Sequence, residues 1–373
     1  MTFNRVCSRC VLDDTAKDIC FDENGFCNYC NDFLRKYSTA IFKDQKKKER
    51  ELENLLTQIK SSGKGKQYDC IIGVSGGVDS SWALVKAVEF GLRPLAVHMD
   101  NGWNSELAQN NIENLVKRLG VELFTYVIDW EEYKLFMQAF FEANVIDIEI
   151  LYDNAMLSVN YEQAANFGCR FILAGTNKAT EGVKIPPNWN WLKLDGKNIR
   201  AIGETFAKIS PKTYPCFSTL KLVWYKFFRR IKWTSILDYV DYNKNQAMDI
   251  LQKKFSFKPY PYKHYESIFT RFYQGFILPK KFKVDKRKVH FSTLILSNQM
   301  SREKALEELA KDPYPSIEEL EKDKRFFLKK MGWSDQQLIN YLNRPEVPHN
   351  FFPSEKPFWE TCNKFYEAIF KKP

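Results

Sequence analysis

The stretch Cys70-Ile71-Ile72-Gly73-Val74-Ser75-Gly76-Gly77-Val78-Asp79-Ser80 decides how this chain is read. Its first five residues form the short apolar run expected of a parallel strand buried on both faces. A Ser/Gly turn follows, and beyond it Leu84, Ala87, Val88 and Gly91 recur on one face at helical spacing. Strand, glycine turn and helix amino terminus together make an anion cradle. Two adjacent glycines let backbone N–H groups close on phosphate oxygens, and the helix dipole favours the charge. Asp79 is the odd member. A carboxylate beside phosphates is repulsive unless a cation lies between them, so Asp79 predicts Mg²⁺. The plain alternative is a Ser/Gly turn that holds no ligand.

The flanking sequence repeats the alternation. Leu95–Met99 reads as a second strand that ends at Asp100-Asn101-Gly102, with His98 inside it as a packed core residue. A helix over Leu107–Leu119, a third strand over Glu122–Ile128 and a fourth over Phe171–Ala174 continue the pattern. The fourth strand runs into Gly175-Thr176-Asn177-Lys178-Ala179-Thr180-Glu181. This predicts an α/β, doubly wound parallel sheet over residues 67–210, with its site at the carboxyl ends of the strands.

Ser75–Ser80 resembles the PP-loop of the ATP pyrophosphatase superfamily (adenine nucleotide alpha hydrolase-like), which includes NAD synthetase, asparagine synthetase and several tRNA-modifying enzymes. The Gly175 loop is similar to the second ATP loop of NAD synthetase, a Gly-Thr turn with an acid six residues after the glycine. The resemblance implies ATP held by Gly73, Ser75, Gly76, Gly77, Asp79, Ser80, Gly175 and Thr176, with adenosine against Asp100. Glu181 would share the Mg²⁺ with Asp79, and Lys178 would face the phosphates. It also implies the reaction type: a substrate oxygen attacks the α-phosphorus, pyrophosphate leaves, and a nucleophile then displaces AMP.

Five of the nine cysteines fall in the first 30 residues. Cys7/Cys10 and Cys27/Cys30 are two C-x-x-C pairs separated by 16 residues, a zinc-ribbon spacing. Four thiolates fill a tetrahedron and leave no open position, so the expected metal is a structural zinc, with iron as the chemical rival. So short a segment has little core of its own, and metal binding should supply most of its folding free energy. The four remaining cysteines outside this segment, Cys70, Cys169, Cys216 and Cys362, read as small buried hydrophobes.

The 373 residues carry 44% hydrophobic and 27% charged side chains with a net charge of +10, an ordinary globular balance that favours an anionic ligand. No apolar run reaches spanning length and Met1–Cys10 lacks the apolar core of a secretory signal, so a cytoplasmic location is expected. Residues 1–38 form the zinc knuckle. Residues 39–66, with Leu52, Leu55, Leu56 and Ile59 at helical spacing, form an amphipathic linker helix. Residues 211–373 read as a mainly helical C-terminal region for substrate or partner. Within it, helices are expected over Ser301–Lys311, opened by a serine cap, and over Ser316–Met331 and Ser334–Leu342, with Pro313, Pro315 and Pro345 as breaks. An aromatic tail with Phe351, Phe352, Phe358, Trp359, Phe365 and Tyr366 should pack back on the body. Trp189–Arg200 reads as a flexible cover over the ATP.

Residues Lys263–Gln274, Leu278–Phe282, Asp285–Arg287, His290–Ser292 and Ser301–Leu306 narrow the reading. With the knuckle and the glycine loop they closely resemble the N-acetyl sugar amidotransferases, the WbpG- and PseA-like proteins of bacterial surface-polysaccharide and flagellin-glycan biosynthesis. The resemblance implies conversion of an acetamido group on a nucleotide-activated sugar into an acetamidino group. It implies ammonia from a HisH-like glutaminase subunit, conducted by a HisF-like partner. The sequence is consistent with an external ammonia source: position 2 is Thr, and Cys169 lies in Gly168-Cys169-Arg170, without a nucleophile elbow. Arg271, Lys286, Arg287 and Arg302 are then candidates to hold the anionic groups of the nucleotide-sugar. His264, Glu266 and His290 are candidates to orient the acetamido group or move protons. Two rivals stand beside this reading: a tRNA-modifying PP-loop enzyme, and a non-catalytic adaptor that recruits a partner through the knuckle.

Overall fold

The computed structural model describes residues 5–41, 45–260 and 265–370. Five parallel strands make one sheet in the order β3-β2-β1-β4-β5. They are β1 (Cys70–Gly73), β2 (Pro94–Asp100), β3 (Leu123–Val127), β4 (Phe171–Ala174) and β5 (Lys232–Ser235). Ile72 lies opposite Ala96 of β2, and Ile172 of β4 lies opposite Trp233 of β5. The chain winds outward from β1 through β2 to β3, then returns to place β4 on the other side of β1. The reversal between β1 and β4 opens a crevice at their carboxyl ends, where ligands of such sheets bind.

The continuous apolar runs of β1 and β4 reflect burial on both faces. Successive side chains alternate between two cores. Ile71, Leu95, Val97 and Ile172 join one apolar cluster, while Ile72, Ala96, Phe171 and Leu173 join the other. The second cluster is closed by α2 (Gln45–Gly63), α3 (Val78–Glu89) and α4 (Glu106–Leu119). The first is much larger and runs without a break from the cysteine knuckle, through α5 (Trp130–Glu142) and α6 (Ile150–Asn166), to the C-terminal helices. Trp189 is fully buried within it, so Trp189–Arg200 is part of the core and not a flexible cover.

The strand β5 lies beyond residue 210, so the sheet draws its edge from the stretch expected to be helical. The three C-terminal helices follow their caps. Ser301, Ser316 and Ser334 accept from the backbone N–H of Lys304, Glu319 and Gln337, and Gln337 completes a capping box. Before them, Tyr273–Phe282 is wound as a wide π-type helix with Pro279 inside, a residue that cannot donate the usual backbone bond. Of the aromatic tail, Phe352 packs inward, but Phe351 and Phe358 stand exposed. Cys362 is also exposed, unlike the buried Cys70, Cys169 and Cys216. Among the described residues no helix is long and apolar enough to cross a membrane.

Candidate active site

Two cavities lie side by side at the carboxyl end of the sheet. The first, about 460 Å³, is built on the glycine turn: Gly73, Ser75, Gly77, Asp79 and Ser80 line it from one side, and Gly175, Thr176 and Glu181 from the other. Val97, Met99, Met156, Leu173, Trp233 and Met248 supply an apolar floor suited to a base. Helix α3 starts after Gly77, which offers no side-chain cap, so the free N–H groups of its first turn are open to ligand oxygens. Ser80 Oγ lies 3.2 Å from the Ser75 N–H and 3.1 Å from Ser75 Oγ, which holds the turn closed.

The two loops meet at Gly175. A Cβ there would fall 2.5 Å from the Ser80 nitrogen and 2.6 Å from the Asp79 carbonyl carbon, so only glycine permits the approach. This contact brings Glu181 and Asp79 to one cavity. Tyr242 donates its hydroxyl to Asp79. Burial raises the Tyr242 phenol far above its usual range, with the negative charges of Asp79 and then Glu181 adding to it, so it stays a hydrogen-bond donor to Asp79. The donor set fits a hard cation, because two carboxylates beside a phosphate cradle are what Mg²⁺ takes. Gly76 serves differently. It adopts φ +81° and passes so close to α4 that a Cβ would lie 2.8 Å from the Ala108 carbonyl oxygen, while its own carbonyl accepts from Tyr260 at 3.0 Å.

The second cavity, about 470 Å³, shares Ser75, Tyr152, Glu181, Glu266, His290 and Phe291 with the first. Its lining mixes apolar surface with a set of charged side chains. Lys193 bridges Asp147 at 2.8 Å and Asp153 at 2.9 Å, and Lys286 pairs with Glu149 at 2.5 Å while Gln274 donates to the same carboxylate at 2.8 Å. Burial, then the charges of Asp153 and Glu266, raise the Tyr152 phenol, which keeps it a hydrogen-bond donor between the cavities. His290 Nδ1 lies 3.1 Å from the Thr180 carbonyl and so hangs from the second loop.

Several expected site residues are placed elsewhere. Lys178 lines neither cavity. Its ammonium lies 3.4 Å from Asp238 and over the Tyr37 ring. Asp100 organises the turn after β2 by accepting from Gly102 N–H and Asn104, and it is Asn101 and Asn104 that reach the second cavity. Arg271 is locked bidentate on the buried Asp323 at 2.5 Å. Arg287 borders the second cavity, but its guanidinium is spent on Asp285 and on the carbonyls of Glu308 and Lys311. Arg302 donates to the carbonyls of Cys7 and Cys10 and fastens the knuckle. All three guanidinium groups, half-buried, are thus engaged by acceptors of the same chain. Of the proposed substrate set, Lys286, Arg287 and His290 line the second cavity, Lys286 and Arg287 each paired with a carboxylate. His264 lies outside the described residues.

Sequence reasoning missed Glu149, Tyr152, Asp153 and Asn160 on or beside α6, Lys193, and the cations Lys244 and Lys304 that border the nucleotide cavity. No motif marks them, since their neighbours in space are distant in sequence. Asn160 is the most pointed case. It is almost fully buried against Gly73, its amide N–H donates to the Met156 carbonyl, and its Oδ1 has no partner. An unpaired buried carbonyl costs about 1–3 kcal/mol, so it awaits a donor.

At the other end of the first core, the ligand atoms of Cys7, Cys10, Cys27 and Cys30 lie within 4.8 Å of one another, all buried. The Cys7–Cys30 and Cys10–Cys27 sulfurs are 3.8 and 3.6 Å apart. A tetrahedron of thiolates around one zinc has an edge of about 3.8 Å. The backbone N–H groups of Arg9 and Cys27 point at Cys7 Sγ at 3.4 and 3.2 Å, which favours thiolate there. The set fits a single structural ion, and it is consistent with zinc.

The strand order, the glycine turn at the carboxyl end of β1 and the second loop against it define an α/β domain of the PP-loop kind. Residues 266–366 match the family model described as "LPS biosynthesis protein WbpG-like, C-terminal domain". The match lies wholly within the C-terminal part of the chain. No curated protein matches the chain. Among solved structures it is similar to an NMN synthetase from Francisella tularensis, at 17% identity over 58% of this chain and 98% of that one, with a TM-score of 0.30. It is also similar to an NH3-dependent NAD synthetase from Campylobacter jejuni subsp. jejuni NCTC 11168 in complex with the nitrate ion. That likeness is at 17% identity over 59% of this chain and 100% of that one, with a TM-score of 0.28.

Proposed function

We propose that the chain is an ATP-dependent, AMP-forming amidotransferase that converts an acetamido group of a nucleotide-activated sugar into an acetamidino group, in the assembly of a lipopolysaccharide or related surface glycan. One observation carries this reading: the segment that matches the WbpG-like domain supplies Glu266, Thr270, Lys286 and His290 to a cavity that opens onto the glycine turn. A nucleotide in one cavity and a hydroxyl-rich substrate in the other would meet at Ser75, Tyr152, Glu181 and His290.

The chemistry follows from the weakness of an amide as an electrophile. The acetamide oxygen attacks the α-phosphorus, the α–β anhydride breaks, and pyrophosphate departs while the amide N–H proton is lost. The resulting O-adenylyl imidate adds ammonia, and AMP leaves with the former amide oxygen. The remaining amidine is cationic at neutral pH. Asp79 and Glu181 would hold a Mg²⁺ that neutralises the triphosphate. The first-turn N–H groups of α3, with Lys244 and Lys304, would take the phosphate oxygens. Tyr152 and Asn101 would orient the amide, and Glu266 and His290 are placed to move its proton. The carboxylates Glu149, Asp153 and Glu266 suit the cationic product. Ammonia would come from a HisH-like glutaminase through a HisF-like subunit, and zinc would staple the knuckle.

The test is to incubate the protein with ATP, Mg²⁺, ammonium and a panel of nucleotide N-acetyl sugars. The expected product has lost oxygen and gained NH by mass, with one AMP and one pyrophosphate per turnover. Release of ADP and orthophosphate would refute the reading.

A further inference from the structure

We propose that the helical stretch formed by Thr219–Val223 and Trp224–Phe228 seats the chain on a bilayer surface bearing anionic phospholipid headgroups. The proposal is independent of the reaction assigned above. Along this stretch Leu220, Val223, Trp224, Phe227 and Phe228 recur at helical spacing, and they are 81, 37, 53, 73 and 69% exposed. Side chains this exposed stand out from the surface and do not line a groove. The opposite face is already satisfied: Leu222 is buried and Tyr225 stacks on Tyr161 at 5.5 Å. The apolar ridge therefore has no remaining place in the core of its own chain.

Within the segment itself the charges are all of one sign, and Glu355, a carboxylate from a distant part of the chain, is taken up by Thr219 at the amino end. Lys221, Lys226, Arg229, Arg230 and Lys232 are exposed, and no acidic residue occurs from 205 to 237. An apolar ridge of Trp, Phe and Leu flanked only by Lys and Arg is the composition of a helix that lies in the headgroup layer, where the cations meet anionic lipid and the rings sink to the acyl boundary. A protein partner of ordinary mixed charge would meet five exposed cations there with no acidic residue in the segment to offset them.

The ridge is also held firmly and aimed well. Ser218 caps its amino end, the Thr219 N–H donates to Glu355 at 2.9 Å, and Trp359 Nε1 donates to Thr219 Oγ1 at 2.8 Å. Arg229 donates to the Ala165 carbonyl at the end of α6, and the Lys232 N–H to the Arg170 carbonyl. Both acceptors lie just before β4, and the ridge itself runs straight into β5. The ridge thus sits at the amino end of the sheet, opposite the two cavities. A bilayer there would leave both of them open.

The test is co-sedimentation of the full chain with vesicles of phosphatidylcholine alone or mixed with phosphatidylglycerol. Binding is expected only to the mixed vesicles and is expected to weaken as salt is raised. In K226E/R230E affinity should fall on the order of fivefold or more for each cation removed. In W224S/F227S/F228S binding should be lost at any salt, with thermal melting and ATP–pyrophosphate exchange unchanged. Failure of the parent chain to sediment with the mixed vesicles overturns the proposal, as does undiminished sedimentation of the triple variant. Loss of a chain–chain or chain–protein complex in the triple variant, without vesicle binding by the parent, would mark the ridge as a protein interface and also overturn it.

Discussion

At the residue scale, Asp79 and Glu181 line the first cavity, and their amide variants, which keep shape and an acceptor oxygen for Tyr242, should separate chemistry from folding. D79N and E181Q are expected to lower AMP formation by about 100-fold or more, on the scale of losing a principal charge-stabilising group, while urea melts stay near the parent's. Arg271 shows the opposite behaviour. R271A leaves the buried Asp323 without its partner, so it should cost about 3–5 kcal/mol of stability with no specific change in sugar-nucleotide KM, read from denaturation and from kinetics below the melting point. Asn160 is the third case. N160L removes the unpaired acceptor beside Gly73, so KM for ATP should rise about tenfold, the worth of one hydrogen bond, and comparison with 2′-deoxy-ATP would show whether a ribose hydroxyl is its donor.

At the element scale, the loops and the knuckle depend on close approach. G175A places a Cβ 2.5 Å from the Ser80 nitrogen, which pushes the second loop off the first and should abolish nucleotide binding measured by calorimetry. The knuckle depends on its ion. C10S should bind no zinc by elemental analysis, against one per chain for the parent. Because Arg302 hangs on the Cys7 and Cys10 carbonyls, the loss should also loosen the helix Arg302–Ala310, visible as faster amide exchange there. The elements themselves were largely legible beforehand. Apolar runs marked β1, β2 and β4, and the Ser301 cap with the breaks at Pro313, Pro315 and Pro345 marked the three C-terminal helices. Strand β5 escaped, because Lys232-Trp233-Thr234-Ser235 is a half-buried edge with no apolar run to announce it.

At the scale of the whole molecule, His349 ties the C-terminal region to the body. Its Nε2 accepts from the Asp147 N–H at 3.1 Å and its Nδ1 lies 2.8 Å from Asn198 Oδ1. Burial pushes its pKa down to about 4, from an ordinary 6.5. The unfolded chain therefore binds a proton between those values when the folded one does not. Its contribution is complete above pH 6.5 and declines as pH falls toward 4, by on the order of 3 kcal/mol. Denaturation midpoints across that range should show the decline, and H349Q should flatten it.

The glycine turn, the second loop and the paired cysteines were readable from sequence because each is a local device: its residues lie within a few positions of one another, and backbone geometry alone dictates the pattern. The substrate wall was not. Arg271, Arg287 and Arg302 have the same composition as ligand-binding arginines, and only folding reveals that Asp323, Asp285 and the knuckle carbonyls claim them. The same folding brings Lys193 to Asp147 and Asp153, and Tyr242 to Asp79, across long stretches of chain. Which cations are free for a ligand depends on which carboxylates and carbonyls reach them first, and that is set by packing.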